Sequence, residues 1–180
     1  INDIHGSLIG NNYTIYTYDN YGNQTLKTSG KEISITGNKI ETTSYDSNGK
    51  AVTRYDLSSV ITITIDGKEI ESCGDTCVFV QQGLEPEVDF SLDEIDSARG
   101  NGITDNAALA RVLNQYKNDF GKSRIVVIKS QLGQPIAAFS GNDVYWEIPD
   151  DLPKMTKLMV DGKALYIHRA NYQIIDKDLL

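Results

Sequence analysis

Two cysteines stand four positions apart in Cys73-Gly-Asp-Thr-Cys77, the densest concentration of reactive side chains in the chain. In an oxidising compartment such a pair, with a turn between its members, is a candidate local disulfide. Closing so short a loop contributes roughly 2 kcal/mol on the chain-entropy argument. Zinc would need four ligands, and only His5 and His168 could complete a set with the thiols, so no metal is expected. The spacing carries three intervening residues where the familiar redox motif carries two, which argues against thiol–disulfide chemistry.

The other motifs dissolve on inspection. The acids between Glu85 and Asp96 are interrupted by Pro86, Val88 and Phe90 and lack the alternation of a calcium loop. Gly121-Lys122-Ser123 imitates the end of a phosphate-binding loop, but Tyr116 stands where its first glycine belongs. His168 lies in Leu-Tyr-Ile-His-Arg-Ala, where inward Leu165 and Ile167 would leave Tyr166 and His168 outward. No nucleophile elbow or zinc-protease signature accompanies it. No catalytic residue and no cofactor is assigned. What remains is aromatic: Tyr13, Tyr16, Tyr18 and Tyr21 cluster before the first turn, and exposed tyrosines suit contacts with glycans or proteins.

These residues need a scaffold, and the pattern supplies mostly strands. Residues 8–18 alternate, Tyr13 and Ile15 on one face against Thr14, Tyr16 and Tyr18 on the other. Ile33 to Ile35 and Ile40 to Ser44 read as two strands around Gly37-Asn38, and Val60 to Ile65 as one whose isoleucines share a face. Asp66-Gly67 and Asp161-Gly162 are hairpin turns. Tyr18-Asp-Asn-Tyr-Gly and Tyr45-Asp-Ser-Asn-Gly repeat one punctuation and predict a pair of similar hairpins. Further strands follow from Arg124 to Ile175, with Ile125–Ile128 apolar on both faces and Trp146 expected in the core.

One stretch breaks the alternation. In Thr104–Gly121 the residues Leu109, Val112, Leu113, Tyr116 and Phe120 form a stripe at helical spacing. Thr104 or Asp105 would cap it, and Gly121 would end it in a left-handed conformation. The expected fold class is therefore α+β: mainly antiparallel strands and hairpins, with one principal amphipathic helix (104–120) packed on a sheet. Its parts would be a β-rich lobe (1–82), an acidic, glycine-bearing connector (83–103) and a helix-plus-β lobe (104–180), all within one compact domain if the lobes pack together.

Charge narrows the partners. The chain of 180 residues carries a net charge of −8. Residues 1–90 hold 6 Lys/Arg against 13 Asp/Glu, a front end that repels phosphate backbones, so no nucleic acid is expected. Ile125–Ile128, the longest aliphatic run, is too short to span a bilayer.

The words IKSQLGQPI, DLPKMTKLM and DGKALYIHRANYQIIDKDLL, with ITIDGKEIESCGDTCVF and GLEPEVDF upstream, resemble a family of putative lipoproteins of unknown function from Gram-positive bacteria. That resemblance spans roughly Val60 to Leu180. It implies export and anchoring by a lipidated cysteine upstream of Ile1, and it brings no activity or site residues. The expectation is a cell-surface, non-catalytic binding or interaction module for a cell-envelope protein or glycan. The alternative is a secreted hydrolase with an irregular carboxylate or His168 site. A third possibility is an exposed edge strand, such as Val78–Val80, offered to a peptide or a second copy.

Overall fold

A computed structural model describes residues 7–90, 110, 113–114 and 121–180. The described residues form two antiparallel sheets, a sandwich-like arrangement. The strands are β1 (Ser7–Tyr18), β2 (Gln24–Tyr45), β3 (Ala51–Ile65), β4 (Lys68–Cys73), β5 (Thr76–Gln81), β6 (Val88–Asp89), β7 (Arg124–Lys129), β8 (Pro135–Gly141), β9 (Val144–Glu147), β10 (Met155–Val160), β11 (Lys163–His168) and β12 (Asn171–Asp176). The larger sheet runs β4-β3-β2-β1-β5-β11-β10-β9 and the smaller β12-β7-β8-β6. Strands from both halves of the chain thus share one ladder, with β5 paired to β11 from Leu165–Val80 to His168–Cys77.

The α+β expectation is corrected by this architecture. The main core is sheet against sheet: Val78, Val80, Leu165 and Ile167 of the larger sheet meet Val126, Ile128, Ile136 and Phe139 of the smaller. Alternating strands bury one face in each layer, so the two sheets satisfy each other without a helix between them. Of the predicted helix, Leu109, Val112, Tyr116 and Phe120 lie outside the described residues. Leu113 is described, and it is buried with Val88, Phe90, Ile125 and Val127 on the far side of the smaller sheet. Ile125–Ile128 is accordingly buried on both faces. Gly121 does not take the left-handed conformation expected of it.

The larger sheet cannot be flat. Only Gly74 and Asp75 separate β4 from β5, a link that reaches about 11 Å between flanking Cα atoms. Four strand spacings intervene in the sheet order, about 19 Å if laid flat. The β4-β3-β2-β1-β5 portion therefore curls until its ends meet, and Ser72 Oγ lies 3.7 Å from Cys77 Sγ. The concave face so made holds Tyr13, Ile15, Ile33, Ile35, Ile61, Ile63 and Phe79. Leu152 plugs it from the loop before β10, a path that brings the Asp151 carbonyl against Gly37, where a Cβ would collide.

Gly37-Asn38 is not a turn. β2 runs straight through it, and the pairing shifts from Gly37–Ile61 to Lys39–Leu57. The extra residues bulge out of β3, and Asn38 Nδ2 donates to the Val60 carbonyl at 3.1 Å. Beyond the bulge the β2–β3 ribbon projects away from the core, with Ile40, Tyr45 and Tyr55 exposed.

The turns follow the sequence closely. Asp66 (φ 48°) with Gly67 (φ 78°), and Asp161 (φ 48°) with Gly162 (φ 78°), have the two positive φ angles of a type I′ hairpin. In the two Tyr-Asp-x-x-Gly segments, Asp19 Oδ1 accepts from Tyr21 N and Asn23 N, as Asp46 Oδ1 does from Asn48 N and Lys50 N. They are matching hairpins.

Two core assignments need correcting. Trp146 is 60% exposed, because β9 is the outer strand of the larger sheet and only its other neighbour, β10, covers it. His168 points inward on the face of Ala164 and Tyr166, since β11 is covered on both sides. Val78–Val80 is no edge either: β5 is paired on one side to β1 and on the other to β11.

Candidate functional site

The tyrosine cluster does not survive as a patch. Alternation sends Tyr13 into the concave core, its ring edge-on to Tyr166 at 6.3 Å. Tyr16 and Tyr18 take the other face and stack at 6.5 Å, with Tyr18 buried and Tyr16 half-buried. Tyr21, in the turn, is exposed and stands apart. Burial raises the phenol pKa of Tyr13, Tyr16 and Tyr18, and neighbouring Glu85 and Asp89 add to the effect at Tyr16. All three therefore stay neutral donors at physiological pH.

Tyr16 nonetheless opens onto a groove of about 490 Å³. Its floor is laid where β1, β2 and β5 run abreast, Tyr13 facing Gly30 on one side and Gln81 on the other. Thr14 Oγ1 and Ser29 Oγ, hydrogen-bonded at 3.1 Å, stand across that floor. One wall is Leu84 and Glu85, the other the Asp66 turn with Lys31. Lys27 sits over the Tyr16 ring, 5.4 Å from its centroid, and leaves the ring flanked by a cation.

Backbone geometry keeps this groove open. Asn12 bends β1 with φ 62°, a conformation asparagine tolerates better than most residues. Its carbonyl accepts from Gln82 N at 2.8 Å, which ties the exit of β5 to the groove. Gly30 has no side chain, and a Cβ there would run into Ile65 and Asp66. Asp66 itself is occupied by structure: its Oδ1 accepts from Lys31 N at 3.1 Å and Glu32 N at 2.9 Å. Those amides, with the charges of Lys31 and Lys68, hold its carboxyl below the usual range.

The groove thus presents hydroxyls, amides, one ammonium, two carboxylates and an aromatic ring, with apolar lining from Val80 and Leu84. Such a surface can hydrogen-bond a polyol while stacking on its hydrocarbon face. Of its residues only Tyr13 and Tyr16 were candidate binding residues in the sequence; the others are gathered by strand register.

The thiols are not joined. Cys73 is exposed and Cys77 buried, both free, and they are not close. The curl explains this: along β4 the inward positions are Ile70 and Ser72, so Cys73 faces out while Cys77 faces in with Phe79. Burial pushes the Cys77 thiol up to about 11, partly offset by Ser72.

His168 is sealed in the same core, its Cα opposite those of Met155 and Cys77. Burial, reinforced by the charge of Arg169, pushes its pKa down to about 4, opposed by the nearby Pro153 carbonyl. Neither ring nitrogen has a hydrogen bond of good geometry. Among the described residues no three His, Cys, Asp or Glu side chains gather to hold a metal ion. No helix among them is long and apolar enough to cross a membrane.

No curated protein and no solved structure matches the chain. Residues 1–180 match the family described as a domain of unknown function (DUF5052), and the chain belongs to that family.

Proposed function

We propose that this DUF5052 member is an exported, lipid-anchored binding module of the cell envelope that holds a glycan in the groove over β1, β2 and β5. The observation that carries the ligand reading is the half-buried Tyr16 ring at the edge of a groove ringed by Asn12, Thr14, Ser29, Gln82 and Glu85. Those side chains offer many hydrogen bonds at short intervals beside one aromatic surface, which matches the alternating hydroxyl and C–H faces of a sugar. Export and anchoring rest on the resemblance of the segments between Val60 and Leu180 to Gram-positive lipoproteins. The hydrolase alternative loses its histidine, since His168 has no surface a substrate could touch.

The test of the ligand reading is calorimetric titration with soluble cell-wall polysaccharide fragments. Tyr16→Ala is expected to weaken binding about tenfold, the value of a lost aromatic contact. Tyr21→Ala, in the exposed turn, leaves it unchanged. Absence of binding, or equal sensitivity to both substitutions, overturns the reading. Fatty-acid labelling of the full-length gene product in its host tests the anchor separately; an unlabelled, cytosolic product overturns that part.

A further inference from the structure

A second recess, of about 450 Å³, lies at the open end of the β10–β11 hairpin and differs from the groove in charge. Lys154 and Arg169 stand on its rim, the backbone N–H of Arg169 donating to the Lys154 carbonyl at 3.0 Å. Both residues are left-handed, Lys154 at φ 52° and Arg169 at φ 53°. Neither has a β-turn glycine's freedom, so each position carries strain that a glycine would relieve.

No partner among the described residues neutralises the two cations. No carboxylate lines the recess, and neither cation is ion-paired among the described residues. Arg169 Nε is enclosed without a hydrogen-bond partner. In a chain of net charge −8, an unneutralised pair of cations in one concavity stands out from its surroundings. The remaining lining is mixed: Ile148 and Ala170 offer apolar surface, and Gln131, Thr156 and Asn171 are polar.

We infer that this recess binds a small organic carboxylate with an aliphatic body, its anionic end between Lys154 and Arg169 and its hydrocarbon on Ile148 and Ala170. The planar guanidinium matches a carboxylate in two parallel hydrogen bonds, and the ammonium beside it adds attraction. Apolar contact selects such a ligand over a bare inorganic anion.

The test is titration with three probes: N-acetylleucine, its uncharged amide, and inorganic phosphate. N-acetylleucine is expected to bind, and the amide and phosphate to bind at least roughly tenfold more weakly, the share of a charge-assisted hydrogen bond. Lys154→Gly and Arg169→Gly each lower N-acetylleucine affinity by a similar factor while raising the thermal midpoint, because glycine removes the backbone strain. Equal binding of acid and amide, phosphate binding as tight as N-acetylleucine, or no binding at millimolar concentration overturns the proposal. A fall in midpoint in both glycine variants with unchanged affinity also overturns it, since that assigns the cations to structure.

Discussion

Asp66 and Asp161 make the same hydrogen bonds in two separate hairpins. Each opens a type I′ turn, donates its N–H to a neighbouring backbone carbonyl (Glu32 O of β2 at 2.9 Å, Asp143 O of the β8–β9 turn at 2.8 Å) and takes two consecutive amides of that neighbouring segment on its carboxylate. Lys122 Nζ adds an ion pair to Asp161 at 3.0 Å. The meanders β2-β3-β4 and β9-β10-β11 are thus pinned at corresponding corners, and both turns read Asp-Gly-Lys.

These two carboxyls predict an acid-sensitive contribution. Both are held below the ordinary range, Asp66 chiefly by the Glu32 amide and Asp161 by the Asp143 amide. A lowered folded pKa means stability that is present above the unfolded value, about 3.9, and lost as pH falls through the lowered one. Asp66→Asn and Asp161→Asn should each lower the thermal midpoint at pH 7 and shrink the midpoint's fall below pH 4. Their effects should add, since the sites share no partner.

His168 predicts a second, separate pH window. Its pKa is pushed from 6.5 to about 4 in the folded protein, so the unfolded chain takes up a proton that the folded one refuses. Stability is flat above pH 6.5 and declines between there and pH 4 by roughly 3 kcal/mol. Urea unfolding at pH 7 and pH 4 should show this difference shrinking in His168→Gln, whatever that variant's stability at neutral pH.

Gly37→Ala should be costly despite its size. The added carbon meets the Asp151 carbonyl, which is backbone and cannot rotate away. A destabilisation of about 1–3 kcal/mol is expected, read as a lower denaturant midpoint. Gly121→Ala is the control, with nothing near its Cβ and no positive φ.

Thiol labelling separates the two cysteines. Native protein should take up one maleimide, at exposed Cys73, while Cys77 reacts only after unfolding. Two labels on native protein would contradict the buried placement of Cys77, and none would mean that the thiols are joined.

The lone tryptophan gives a direct check on the sheet edge. With Trp146 60% exposed, native fluorescence should already resemble that of the unfolded chain and be readily quenched by acrylamide. A blue-shifted, protected emission would place β9 inside the core.

What could be read from the sequence was what neighbours along the chain decide. Asp66-Gly67, Asp161-Gly162 and the paired Tyr-Asp-x-x-Gly turns depend on local φ angles and hydrogen bonds, and alternation correctly split Tyr13 and Ile15 from Tyr16. Long-range pairing was not legible. Nothing near His168 announces that β11 lies between β5 and β10 and is covered on both faces, nor near Trp146 that β9 is an edge. Gly37-Asn38 looked like a turn because a bulge and a turn draw on the same residues. The groove was legible only through its tyrosines; Asn12, Glu85 and Gln82 reach it through register and a left-handed bend, which composition does not record.

The ladder between β5 and β11 has a consequence during synthesis. Thr76–Gln81 leaves the ribosome long before Lys163–His168, so one flank of an apolar strand waits with its amides and carbonyls unmatched. Nascent chains stalled before residue 163 should aggregate or recruit chaperones, and release of the final hairpin should end that vulnerability.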